Sequence, residues 1–245
     1  CSNGAGVRLR SRQTLLLAAG VSLATFAGTA IWHQYRASRD LATWFTQSAQ
    51  RAELITDTGR VPCPGAPFIL PTTGFIGLLW GDTRLPYTSA HKHSGIDVFG
   101  DGEVGKLPVY AAYEGYLTRL AGWKSAVIIR HPEDPLDPPR QIWSYYAHMA
   151  DEAGNSFIAD AFPPGCVEVP VTQGTLLGYQ GVYNGGTSQV GLHLHFSIVR
   201  DDGKGRFMNE TDIRNTLDPT PYLGMQVNYA CASGVPVCTD HVTCP

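Results

Sequence analysis

The chain has 245 residues, of which 43% are hydrophobic, enough for one large domain with a real core, or one domain plus an anchor, and too apolar for wholesale disorder. Charged residues make up 16% and the formal net charge is -3, which excludes a strongly basic nucleic-acid binder. Gly 27 and Pro 17 favour turns and strands over a helical bundle.

From Gln13 to Trp32 there is no charge, and a run of roughly 20 apolar residues is the length of a membrane-crossing helix. Arg8, Arg10 and Arg12 precede it and no acid appears before Asp40, which puts the N-terminal side in the cytoplasm. Two readings stay open: an uncleaved signal anchor, or a secretory signal peptide cut after a small-residue stretch such as Ala27-Gly28-Thr29-Ala30. Either exports the remainder, so the expected location is the extracytoplasmic cell envelope, with the membrane a partner through this helix. Cys63, Cys166, Cys231, Cys238 and Cys244 lie beyond the apolar run and Cys1 before it. Five exported cysteines can form two disulfides and leave one over.

Ser38 can cap a helix with Asp40 in its first turn. Leu41, Trp44, Phe45, Ala49, Ala52 and Ile55 then recur at helical spacing, and this amphipathic stretch is expected to end before Gly59. Pro62, Pro64, Pro67 and Pro71 break any helix and place a linker near residues 57–66. The organisation expected is an anchor or signal segment (1–36), a helical stalk and linker (37–66), a main domain (67–223) and a cysteine-containing tail (224–245). Within the main domain PVYAAYEGYLTRL, SAVIIRH, QIWSYYAHM, TLLGYQG and HLHFSIVR all read as strands. No helical run appears between about residues 68 and 200, so an all-β domain of short strands is predicted. HPEDPLDPPR reads as a proline-rich hairpin loop, and DEAGNSFIADAFPPGCVEVP as an irregular insertion.

The histidines carry the chemistry. In His193-Leu194-His195 a strand turns both imidazoles to one face and Leu194 to the other. In His93-Ser94-Gly95-Ile96-Asp97 an imidazole and a carboxylate, both good zinc ligands, can converge because Gly95 permits a tight backbone path. His91 is a rival ligand, but the Gly95-Ile96-Asp97 context favours His93. Three protein ligands leave the fourth zinc position open, the arrangement of a catalytic site, and zinc brings the pKa of water down to about 7. A histidine off the metal can hold the nucleophile, shuttle a proton or steady an oxyanion; His148 and one member of the pair are the candidates. Tyr145, Tyr146, Trp123 and Tyr183 could line a groove, with core packing the expected role.

HSGID, YAH and HLHF, in that order, resemble the three signatures of the lysostaphin/LytM-type zinc metallopeptidases. LPVYAAYEGYL, VIIRH, VTQGTLLGYQGVYNGGTSQVGLHLHF and LDPTPYL resemble the text between and after them, so the resemblance covers about residues 67–223. It implies a compact antiparallel β domain with a groove over one Zn2+ per chain, held by His93, Asp97 and His195. His148 and His193 become the catalytic histidines. The substrates implied are peptidoglycan stem or cross-bridge peptides, cut at an amide bond. The insertions at 132–140 and 151–170 are expected to line or cap the groove. The alternative is a non-catalytic cell-wall-binding protein or an activator of a cell-wall amidase. A structural zinc site would need a fourth protein ligand such as His91.

Overall fold

The computed structural model describes residues 35–186, 189–232 and 234–239. The apolar run, and with it the anchor-or-signal expectation, lies outside the described residues. Among the described residues no helix is long and apolar enough to cross a membrane.

The described chain opens in helix α1 (35–46), followed by a 3-10 turn, Ser48–Leu54. Ser38 therefore sits inside the helix and is not its cap. Asp40 is buried and pairs with Arg39 at 2.8 Å. The helical period of the sequence runs on, but the α-helix stops at residue 46. There the Thr46 hydroxyl bonds back to the Ala42 carbonyl (2.7 Å), a local alternative that weakens a helix. Arg51 reaches back to the open carbonyl of Trp44 (2.8 Å). The apolar face of α1 packs on the domain. Trp44 is buried, stacks on Phe75 at 5.3 Å and shares a cluster with Leu54, Leu78 and Phe99. Arg84 fastens the helix from the other side, donating to the Ala37 carbonyl (2.6 Å) while pairing with buried Asp82.

The rest is all-β with short helical turns. The strands are β1 (Phe75–Leu78), β2 (Ile96–Phe99), β3 (Pro108–Tyr110), β4 (Gly115–Thr118), β5 (Val127–His131), β6 (Ile142–Ala147), β7 (Val169–Val171), β8 (Leu176–Tyr179), β9 (Gly181–Tyr183), β10 (Gln189–Arg200) and β11 (Thr216–Leu217). A short helix, α2 (Thr220–Leu223), closes the domain. The main sheet is antiparallel in the order β1-β2-β10-β6-β5-β4-β7, with β9 and β11 also pairing β10; β3 and β8 form a second, two-stranded sheet. The strands expected from sequence correspond to β3–β6, β8 and β10. β1 and β2 are not among the strands expected from sequence. FIGL and IDVF are buried on both faces, so they lack the polar–apolar alternation that marks a half-exposed strand. The strands β7, β9 and β11 are only two or three residues long.

Period-two alternation sorts the central strands. Ile96 and Val98 of β2, Leu194, Phe196 and Ile198 of β10, and Ile142 and Tyr146 of β6 all enter the main core. The opposite face carries two smaller apolar clusters, one around Trp44, Phe75 and Phe99 and one around Ile128, Trp143 and Val199. Between them, on the same face, lie Asp97, His193 and His195. Tyr146 belongs to the core, where its hydroxyl accepts from the Ala112 amide (2.8 Å).

The proline-rich loop after β5 folds back on α2. Buried Asp134 pairs with Arg140 and accepts from the Tyr222 hydroxyl (2.7 Å). The tail is stapled to the linker by a disulfide between Cys63 and Cys238. Cys231 is also disulfide-bonded, and Cys166 is the free cysteine among the described residues.

Candidate metal centre

Strand register assembles the site. Asp97 lies directly across from His195 on the β2 side of β10, and Ala147 lies across from it on the β6 side. His148 is the next residue after β6. Its backbone turns into the left-handed region at φ 73, a conformation that costs a non-glycine residue free energy. Surrounding contacts hold it there. Its carbonyl accepts from the Ala150 amide (2.9 Å), and its Nδ1 faces the Tyr183 carbonyl (2.7 Å). Gly181 packs beneath the turn, where a Cβ would stand 2.5 Å from the His148 oxygen.

His93 comes from the loop entering β2. Its backbone is pinned on both sides, the amide donating to Asp82 (3.0 Å) and the carbonyl accepting from Gly81 (2.8 Å). Gly95 is needed for close approach and not for an unusual dihedral: a Cβ there would sit 2.3 Å from the Phe196 carbonyl oxygen. The ring of Tyr87 stacks on His93 at 4.5 Å.

Three donor atoms converge. His93 Nε2 and His195 Nδ1 are 3.0 Å apart, His93 Nε2 and Asp97 Oδ1 3.2 Å, and His195 Nδ1 and Asp97 Oδ1 2.9 Å. All three residues are buried. Ligands at zinc's usual distances of about 2.0–2.2 Å in a tetrahedron stand about 3.3–3.6 Å from one another, so this triangle needs to open by well under about 1 Å along any edge. Two imidazoles and a carboxylate are also the donor types zinc takes. His91 is exposed and lies outside the cluster, so no fourth protein ligand closes the site among the described residues.

The imidazoles are oriented by what their far nitrogens meet. His93 Nδ1 donates to the Leu79 carbonyl (3.0 Å), His148 Nδ1 to Tyr183 (2.7 Å) and His193 Nδ1 to Gly191 (2.6 Å). A carbonyl can only accept, so each of these rings carries a proton on Nδ1, and where the ring is neutral, as burial makes His148 and His193, Nε2 is left as a lone-pair acceptor. The His148 and His193 rings are 4.4 Å apart, and His193 Nε2 lies 3.8 Å from Asp97 Oδ1.

Electrostatics agree with this arrangement. Burial pushes His148 down to about 3, with the neighbouring His193 acting the same way, and burial also lowers His193. Both are therefore neutral near pH 7. Burial alone would raise the Asp97 carboxyl, but His93, His193 and His195 outweigh it and hold it well below the usual carboxylate range. Burial disfavours charge on His195 too, yet Asp97 and Glu210 push it up to about 10. Asp97 and Glu210 therefore make this a place that favours positive charge.

The cleft over these residues has a volume of about 560 Å³. Tyr87, Trp123, Lys124, Tyr145, Tyr183 and Glu210 are among its walls. Trp123, Tyr145 and Tyr183 are thus groove residues, while Tyr146 is not. Of the two insertions expected to line or cap the groove, neither lines it: no residue of 132–140 or 151–170 borders this cleft among the described residues. The first insertion is tied to α2. The second touches the wall residues, since a Cβ on Gly154 would meet the Lys124 and Tyr183 side chains. Glu210, in the loop between β10 and β11, was not singled out from sequence. No spacing motif marks it, because a long irregular loop brings it to the site.

No protein-family model and no curated protein matches this chain. Among solved structures it is similar to the antimicrobial peptidase lysostaphin from Staphylococcus simulans, with 19% identity over 60% of this chain and 48% of that one and a TM-score of 0.37. It is also similar to the catalytic domain of the prophage-encoded M23 protein EnpA from Enterococcus faecalis (22% identity, 63% and 97% covered, TM-score 0.31). A third is a zinc containing peptidase from Vibrio cholerae (16% identity, 62% and 39% covered, TM-score 0.30). The chain spans about half the length of the lysostaphin structures it matches.

Proposed function

We propose that this protein is a zinc-dependent endopeptidase that hydrolyses amide bonds in peptidoglycan stem or cross-bridge peptides, working in the cell envelope as a membrane-tethered or secreted enzyme. The observation that carries the reading is the convergence of three metal-type donors beside two neutral imidazoles whose Nε2 atoms are free to accept. His93 Nε2, Asp97 Oδ1 and His195 Nδ1 would hold one zinc per chain. When bound, zinc supplies a Lewis acid that acidifies water and polarises a carbonyl.

The chain's own residues supply the rest. The His148 and His193 rings lie 4.4 Å apart beside the donor triangle, each with an acceptor nitrogen, so either can take a proton from the attacking water and return it to the leaving amine. Their neutrality near pH 7 suits a base; a permanently charged imidazolium could not accept. The open cleft admits an extended peptide, and Trp123, Tyr145 and Tyr183 offer flat walls against which its backbone can lie. The three signature motifs of the sequence support the choice of cell-wall peptide as substrate.

The test is zinc analysis of the purified protein together with mass spectrometry of the products released from cell walls. Stoichiometric zinc, cleaved peptides, and loss of cleavage in His193→Ala are expected. Folded protein that takes up no zinc, or that takes it up and cuts no wall peptide, overturns the reading. A wall-binding or amidase-activating role would have no use for two spare acceptor imidazoles beside a three-donor site.

A further inference from the structure

Three of the four imidazoles at the site have a far nitrogen satisfied by a backbone carbonyl. His195 is the exception. Its Nδ1 faces the donor triangle, and no carbonyl reaches its Nε2, which is buried and has no hydrogen-bond partner. The nearest acceptor is Glu210, whose Oε2 lies 3.5 Å away. That contact is long for a hydrogen bond and is an approach of charges, which a small side-chain movement closes. Glu210 is itself largely buried, and the Ser94 hydroxyl approaches the same oxygen at 3.4 Å. It is too far round the ring to be a ligand, since it meets the nitrogen opposite the one that faces the metal position.

We propose that Glu210 is the positioning carboxylate of this centre: it accepts from His195 Nε2–H and so fixes His195 in the tautomer and ring orientation that offer Nδ1 to the metal. The inference rests on the metal reading given above. A metal-bound imidazole needs such a partner on its second nitrogen, both to fix which nitrogen carries the proton and to raise ligand basicity. Leu79 does this for His93 through its main chain. For His195 no carbonyl comes within reach of Nε2, and the nearest acceptor is a side chain. The loop after β10 delivers one. Ser94, adjacent to His93, steadies it, so the ligand-bearing loop and the outer carboxylate are linked.

The experiment compares wild type, Glu210→Ala and Glu210→Gln as full chains. Zinc affinity is measured by competition with a chromophoric chelator, and the His195 tautomer in the zinc-loaded protein by long-range 1H–15N NMR. Wild type is expected to bind one zinc with the His195 proton on Nε2. Glu210→Ala should weaken zinc binding by about 10–100-fold, the usual cost of losing an outer-shell partner. Glu210→Gln keeps an acceptor oxygen and should recover part of that loss, which a general weakening of the loop would not show. Unchanged zinc affinity and an unchanged tautomer in Glu210→Ala overturn the inference while leaving the metal site standing. Lost turnover with unchanged affinity overturns it as well and places Glu210 in the reaction. If wild type takes up no zinc, the reading of the site and this inference fail together. Should Glu210→Ala not fold, the affinity of Glu210→Gln against wild type decides.

Discussion

His148 is held in a left-handed backbone conformation by an amide, a carbonyl and a glycine beneath it. That much scaffolding around one unfavourable dihedral aims an imidazole. Removing the ring should leave the donor triangle intact, because none of its three members bonds to His148. His148→Ala is therefore expected to keep its zinc and lose turnover by about 10²–10⁴-fold, the range for a general base or acid; metal analysis and wall-digestion rates on one preparation check both halves. His131, away from the site, makes a different prediction. Its ring lies buried between the Glu114 carbonyl and the Ser144 hydroxyl (2.6 and 2.8 Å), and burial pushes it down to about 4. The unfolded chain holds that proton more tightly, so this residue subtracts nothing above pH 6.5 and lowers stability as pH falls toward 4. At about 1.4 kcal/mol per unit the loss is about 3 kcal/mol. Unfolding free energies measured from pH 7 to 4 should fall more steeply in wild type than in His131→Gln.

At the level of the element, the site is a product of register. Two antiparallel pairings on β10 set Asp97 and Ala147 on either side of His195, and a slip of one residue would turn every one of these side chains to the other face. The close approach at Gly95 locks the β2 pairing. A Cβ placed 2.3 Å from the Phe196 oxygen forces the strands apart, so Gly95→Ala should cost on the order of 1–3 kcal/mol, as overpacking does. At about 2–4 °C per kcal/mol for a domain this size, calorimetry should resolve the drop, and zinc affinity should fall with it. The histidine-bearing motifs were legible in the sequence because period-two alternation and donor chemistry both speak through residue type. The partners that orient them were not. Leu79, Tyr183 and Gly191 act through main-chain carbonyls, which any residue would supply, and Glu210 arrives on a loop with no periodicity. The fully buried β1 and β2 were missed for a related reason: with both faces covered there is no alternation to read.

Across the whole molecule, the segments flanking the β domain lie on it. Trp44 buries α1 against β1 and β2, Arg84 links that helix to the loop that carries His93, and the Cys63–Cys238 bridge closes a span of 175 residues. Cross-linking a loop that long restricts the unfolded chain strongly. Replacing Cys63 by Ser is expected to lower stability by about 2–5 kcal/mol, read as a lower denaturant midpoint with no change in zinc content, since the bridge lies away from the donor triangle.

The same covalent bridge shapes how the protein responds to nicking. A protease that severs one exposed turn between its ends, such as the proline-rich loop after β5, liberates no fragment. The two pieces remain a single particle, with the sheet still paired across the break. Such wear would be invisible on a gel run without thiol and would appear as two bands once reductant is added.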